Sequence, residues 1–200
     1  MTKWIDEVEL QSEEDAFDEL VKHTWEVEGG FSNHDSDPGG ATMYGITEAV
    51  ARAHGYTGGM KDLPESFALS VYRKSYFEKP GFHLVAMRSL VLAKELFDCG
   101  VNTGPPRATM MLQRALNLLN QRGRDWADLK VDGALGGKTM EALDSLIGKR
   151  GKVGKDVLLK ALLVQRGAYY MDLAAQDEKF EDFLFGWLRT RVDMELICHG

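Results

Sequence analysis

Two acids and a hydroxyl stand close together near the start of this 200-residue chain: Glu28, Asp37 and Thr42, in the stretch "EGGFSNHDSDPGGAT". Eight residues separate the two acids, and four separate Asp37 from Thr42. Such a pair matches what hydrolysis of a glycosidic bond requires. One carboxylic acid gives a proton to the leaving oxygen, while an ionised carboxylate activates water or attacks the sugar. Glu28 suits the acid role if Trp25, Phe31 and Tyr44 dry its surroundings, because loss of solvent disfavours the charged form and keeps the proton on near neutral pH. Asp37 lies in a loop with Pro38, Gly39 and Gly40 that can fold back over the glutamate; in wetter surroundings it stays ionised and polarises a water that Thr42 also holds. Carboxyls ~6.5–9.5 Å apart would suit inversion, and ~5–5.5 Å a covalent intermediate on Asp37. Each residue also has an ordinary reading: a solvated charge at a helix end, a turn-starter before proline, and a β-former. His34 and Tyr44 are candidate substrate contacts in the same region, with solvent exposure the plain alternative for the histidine.

Other chemistries find less support. "DSDPGG" hints at a calcium loop, but Gly39 falls where an oxygen ligand is needed and Ile46 stands in place of the closing glutamate. His23, His34, His54, His83 and His199 show no zinc-binding spacing, and Cys99 and Cys198 form no paired motif. A disulfide between them has nothing in the sequence to support it. No G-x-S-x-G elbow occurs, so acyl transfer has no motif behind it. No metal or other cofactor is expected.

The elements that must position these residues are helices. Ala16, Phe17, Leu20, Val21, Thr24 and Trp25 form an i, i+3/i+4 stripe that predicts a helix over 13–27, with Glu28 at its C-terminal end and Gly29 and Gly30 able to terminate it. "ATMYGIT" suits a short pair of extended segments. Thr47 is a plausible N-cap for a helix that stops at Gly55. Helices are expected over 64–79 and 89–100, and the chain breaks at "NTGPP", about residues 102–106. Beyond it, "RATMMLQRALNLLN", "GKTMEALDSLI", "DVLLKALLVQRGAYYMDLAA" and "DEKFEDFLFGWLRTRVDMEL" are all helical in pattern. Strand alternation is scarce, which predicts a mainly α fold.

The net charge of −7 is uneven. Residues 1–30 hold ten Asp/Glu against Lys3 and Lys22, whereas 101–166 hold twelve Lys/Arg and six Asp/Glu. That basic stretch suits an anionic polymer, or is simply a set of solvated helix faces. No Lys/Arg run with interleaved aromatics speaks for nucleic acid. The N-terminus lacks the pattern of a signal peptide and no apolar segment approaches the ~18 residues of a membrane span. The expectation is therefore a protein made in the cytoplasm, without stable membrane insertion, whose access to any wall depends on another component.

"WEVEGGFSNHDSDPGGATMYGIT" resembles the signature of the phage and prophage muramidases of glycoside hydrolase family 108, which reads E-G-G-aromatic, D-x-G-G-x-T, then aromatic-G-aliphatic-T. More distantly, the order Glu, eight residues, Asp, short gap, Thr is similar to phage lysozymes of the lysozyme-like superfamily, which commonly have one more residue between Asp and Thr. "DCGVNTGPPRATMMLQRALN" and "VDGALGGKTMEAL" are similar to the predicted peptidoglycan-binding segment that accompanies the family. Its pattern falls on Asn102, Gly104, Pro105, Leu112, Gln113, Ala115, Leu116, Asp132, Gly133, Gly136 and Thr139. The resemblance implies a lysozyme-like fold of two lobes with a small β-hairpin near the active site. It divides the chain into an acidic extension (1–12), a catalytic muramidase lobe (13–104) and a helical peptidoglycan-binding lobe (105–200).

It further implies an endolysin, expected as a monomer, that cuts the β-1,4 bond between N-acetylmuramic acid and N-acetylglucosamine in peptidoglycan glycan strands, with a holin-type partner for release. Glu28, Asp37 and Thr42 would be catalytic, and Asn102 would meet substrate. Tyr170 could stack on a sugar ring, although an aromatic at helical spacing more often fills a core. A lytic transglycosylase using Glu28 alone, a non-catalytic wall-binding or virion protein, and a wall peptidase are the alternatives.

Overall fold

The structure is a computed structural model that describes residues 12–28, the side chains of 22–28 aside, and residues 42–192. Helix α1 (Glu13–Glu28) starts where the Ser12 hydroxyl accepts from the Asp15 amide, and three acids sit in its first turn, where the helix dipole favours negative charge. Strands β1 (Thr42–Met43) and β2 (Ile46–Thr47) pair antiparallel, Thr42 opposite Thr47. Thr47 then caps α2 (Glu48–Ala53) by accepting from the Val50 amide. Helix α3 (Glu65–Tyr72) passes into a π-helical turn, Arg73–Glu78, so the single helix expected over 64–79 changes its winding at Arg73. Helices α4 (Phe82–Ala86), α5 (Leu90–Thr103), α6 (Pro105–Leu119), α7 (Gly137–Gln176) and α8 (Glu181–Arg191) follow among the described residues. The two helices expected over 137–176 form one run interrupted at Gly151, whose φ of 54° and ψ of −138° are non-helical. The mainly α architecture with one small hairpin is the one expected.

The first half is assembled on α1. Ala16, Phe17, Leu20 and Val21 are buried, and the Phe17 ring lies 5.5 Å from Phe77 and 6.5 Å from Phe97. The Arg73 guanidinium lies 4.1 Å over the Phe17 ring and pairs with Glu14. The direction of α1, and hence where Glu28 ends it, is set by these contacts in its first two turns. At the sequence break, α5 runs on to Thr103 and α6 begins at Pro105, so the joint is a single glycine. Gly104 takes φ 87°, and proline at the first helical position sacrifices no hydrogen bond. One apolar core runs through both halves, from Ala16 and Phe97 to Leu112, Leu143 and Leu163.

A buried ion network ties the halves together. The Arg166 side chain on α7 is 1% exposed. It donates to both oxygens of Glu95 and to Asp98 on α5, and its Nε donates to the Tyr170 hydroxyl. Arg191 on α8 takes the other Asp98 oxygen at 2.6 Å. Burial pushes the Glu95 carboxyl up to about 7, against the pull of Arg166. Burial also works to raise Asp98, but Arg166 and Arg191 outweigh it and hold that carboxyl below its ordinary range. Cys99, beside this network, is buried and free, and Cys198 lies outside the described residues.

In the second half, Gln113 of α6 organises the turn before α7. Its Oε1 accepts from the Asp132 and Gly133 amides, while Nε2 donates to Asp132, the Ala134 carbonyl and Thr139. Gly133 has φ 77°, and a Cβ there would stand 2.8 Å from the Pro106 carbonyl oxygen. Asp132 and Gly133 turn the chain there, pressed against the start of α6.

Four outcomes follow. Arg166→Ala should cost about 3–5 kcal/mol in denaturant unfolding, because buried Glu95 loses its cation and Asp98 loses one of its two. Arg88→Ala, which breaks a surface pair with Asp144, should cost no more than about 1 kcal/mol. Glu95 has a folded pKa above its ordinary value, so its contribution is complete below about pH 4.5 and is lost as pH rises through about 7. Asp98 acts in the opposite sense, its contribution present above its ordinary 3.8 and lost as pH falls through the lowered folded value. The Glu95→Gln protein should accordingly lose less stability than the parent between about pH 5 and about pH 8 in the same unfolding assay. Gly133→Ala should lower the melting temperature by several degrees, equivalent to about 1–3 kcal/mol, because it combines a disfavoured φ with a backbone clash.

Candidate functional site

Glu28 is the last residue of α1, at the helix end where the apolar stripe puts it. Its side chain, and the whole of Asp37 and His34, lie outside the described residues. The chain is described again from Thr42, the first residue of β1. Thr42 and Tyr44 therefore share one hairpin. Tyr44 and Gly45 form its two-residue turn with φ of 53° and 70°, and positive φ at both central positions is what a type I′ hairpin turn needs. For Tyr44 that conformation carries a steric cost which glycine would not incur. It is held by the Tyr72 hydroxyl of α3, which donates to the Tyr44 carbonyl at 3.0 Å. Ile46, 2% exposed, plugs the hairpin into the core. The half-buried Thr42 thus sits on a short but doubly anchored β-element.

His54, which ends α2 directly after the hairpin, links this element to the π-helical turn. One ring nitrogen lies 2.9 Å from the Val50 carbonyl oxygen and the other 2.8 Å from the Ser75 hydroxyl. The carbonyl can only accept, so Nδ1 carries a proton and donates to it, while Nε2 shares a hydrogen bond with the Ser75 hydroxyl. The site's β-element is braced from α3 by Tyr72 and from Arg73–Glu78 by Ser75.

The remaining candidates lie elsewhere. Asn102 is exposed on the last turn of α5, its Nδ2 donating to the Asp98 carbonyl of the same helix, so the motif asparagine faces solvent with its amide partly engaged. Tyr170 requires a correction. It is 3% exposed, its ring 5.1 Å from Trp187, and its hydroxyl accepts from Arg166. A residue enclosed in that way cannot stack on a sugar, and its phenol is pushed up by burial. It is a core residue because it lies one turn beyond Arg166 on the inward stripe of α7.

Sequence reasoning did not find the Arg166 network. A signal was present: Glu95 and Asp98 stand three apart in the apolar run "LVLAKELFDCG", and Arg166 falls on the stripe of Leu158, Leu159, Leu162 and Leu163. Charges on an apolar helix face demand partners. Among the described residues no three His, Cys, Asp or Glu side chains gather to hold a metal ion, and no helix is long and apolar enough to cross a membrane.

Comparison with known proteins meets this architecture at both ends of the chain. Residues 21–104 match the model of the family described as glycosyl hydrolase 108, and residues 107–192 match that of a predicted peptidoglycan domain. The joint between them is the Gly104–Pro105 turn. No curated protein matches the chain. Among solved structures it is similar to SagA of Brucella abortus, at 26% identity and a TM-score of 0.69, over 92% of this chain and 95% of that one. The helix that ends in Glu28 and the anchored hairpin thus fall within a glycosyl hydrolase 108 domain, the helical second half is a predicted peptidoglycan domain, and the two together mark the chain as a peptidoglycan-degrading enzyme.

Proposed function

We propose that this enzyme is a muramidase that hydrolyses the β-1,4 bond between N-acetylmuramic acid and N-acetylglucosamine. Glu28 protonates the leaving oxygen, Asp37 positions or deprotonates the attacking water, and Thr42 holds that water. The observation that supports the reading best is positional. An acid terminates α1, whose first turns are locked by Phe17, and the chain returns at Thr42 into a hairpin whose other anchors are Ile46 and Tyr72. A proton donor must stay fixed while bonds change, and a packed helix ending in Glu28 together with an anchored hairpin carrying Thr42 supports that reading. Service as an endolysin, reaching the wall through a holin-type partner, belongs to the same proposal.

Digestion of purified peptidoglycan with parent and Glu28→Gln protein tests the chemistry. The parent should release fragments with reducing N-acetylmuramic acid ends, identified by mass, and Glu28→Gln should be slower by about 100-fold or more, the range for loss of a general acid. Ends in the 1,6-anhydro form would replace hydrolysis by transglycosylation. Wall clearance by Glu28→Gln at the parent's rate would remove the acid from the mechanism, and new free amino termini would point to a peptidase.

A further inference from the structure

A groove of about 490 Å³ lies where the two family domains meet, within the size range of ligand clefts. Its walls are Pro80, Pro105, Pro106 and Leu135, with the Ser75 hydroxyl and the Lys79 side chain as its polar groups. The first half contributes Ser75 and residues 79–81, and the second contributes residues 133–135. The two sides touch through glycines: a Cβ at Gly81 would meet Leu135 at 3.3 Å, and one at Gly133 would meet Pro106. Ring-locked prolines and the turn pinned by Gln113 leave little freedom to lose on binding, so the groove is preformed.

Its chemistry is selective. Among the described residues no aromatic side chain lines it, so these walls offer no stacking surface of the kind a sugar ring uses. Lys79 is its single charged lining residue, and its ammonium is exposed and pairs with no carboxylate among the described residues. Asp132, next to the lining Gly133, turns its carboxylate to Gln113 and the Ala134 amide. Small aliphatic walls, one cation and one hydroxyl suit an extended peptide that carries methyl groups and carboxylates. Peptidoglycan stems are short peptides of alanine and acidic residues attached to muramic acid. We propose that this groove binds the peptide stem of the glycan strand, with Lys79 meeting a stem carboxylate. The proposal rests on the chain being a peptidoglycan enzyme and extends the peptidoglycan-facing surface across the joint between the domains. Through the Ser75–His54 hydrogen bond the groove is connected to the end of α2, which follows the hairpin that carries Thr42.

The test is a binding titration on the full chain carrying Glu28→Gln, so that its outcome does not depend on cleavage. N-acetylmuramyl tetrapeptide and the peptide-free disaccharide of N-acetylglucosamine and N-acetylmuramic acid are added separately while the amide resonances of Gly81, Gly133 and Ala134 are followed. The peptide-bearing probe should move these amides, and the disaccharide should leave them in place. Adding Lys79→Ala should weaken the peptide-bearing probe by about fivefold, the upper range for an exposed ion pair. An unchanged spectrum elsewhere would show that the fold is kept. Equal shifts with the disaccharide, no shifts with either probe, or unaltered affinity in Lys79→Ala would each overturn the proposal.

Discussion

A guanidinium almost wholly removed from water is tolerable only where anions surround it, and Arg166 is held in that way by Glu95 and Asp98. The two acids lie three residues apart on α5, so one side chain from α7 grips the helix at two points and Arg191 of α8 grips it at a third contact. Desolvation of several kcal/mol per ion offsets most of the attraction, so the network adds little to net stability. Its effect is on register. Sliding α7 by one turn would strand an unpaired charge among Leu159, Leu162 and Leu163, which costs more than any alternative packing recovers. Because α5 also carries Phe97 against Phe17 of α1, the same constraint reaches the helix that ends in Glu28.

The motif of the second half has a related role. Gln113 and Gly133 lie in the pattern that resembles a peptidoglycan-binding signature, yet their side-chain and backbone groups are consumed in holding the 132–135 turn against α6. These positions shape a surface rather than touch a ligand themselves. The residues next to them, Leu135 on one side and Lys79 and Pro80 on the other, form the open groove. Motif residues and ligand-facing residues are thus neighbours with different tasks. The first satisfy buried polar groups, and the second are left with groups to offer.

The hairpin shows the same division at smaller scale. Tyr44 adopts a conformation that glycine would take without cost, and its ring and carbonyl are fixed by the core and by Tyr72. Such a turn stays rigid only while α3 is in place. The position of Thr42 therefore depends on an element 28 residues away from Tyr44 in sequence.

What the sequence determined by itself is the local structure whose cause is local. The apolar stripe from Ala16 to Val21 makes α1 and puts Glu28 at its end, the Thr47 hydroxyl starts α2, Gly104 and Pro105 separate α5 from α6, and Asp132–Gly133 turn the chain. Each needs only side chains within a few residues, so spacing suffices to read it. Tertiary structure alone decided what happens between distant segments: that Tyr170 is enclosed beneath Arg166 instead of facing a sugar, that two acids of α5 are partners and not solvated charges, and that residues 75–81 and 133–135 face each other across one groove. The physical reason is that burial and electrostatic pairing depend on which faces meet in space. A helical period reveals that a face is apolar but leaves open which charge of another helix will be brought against it.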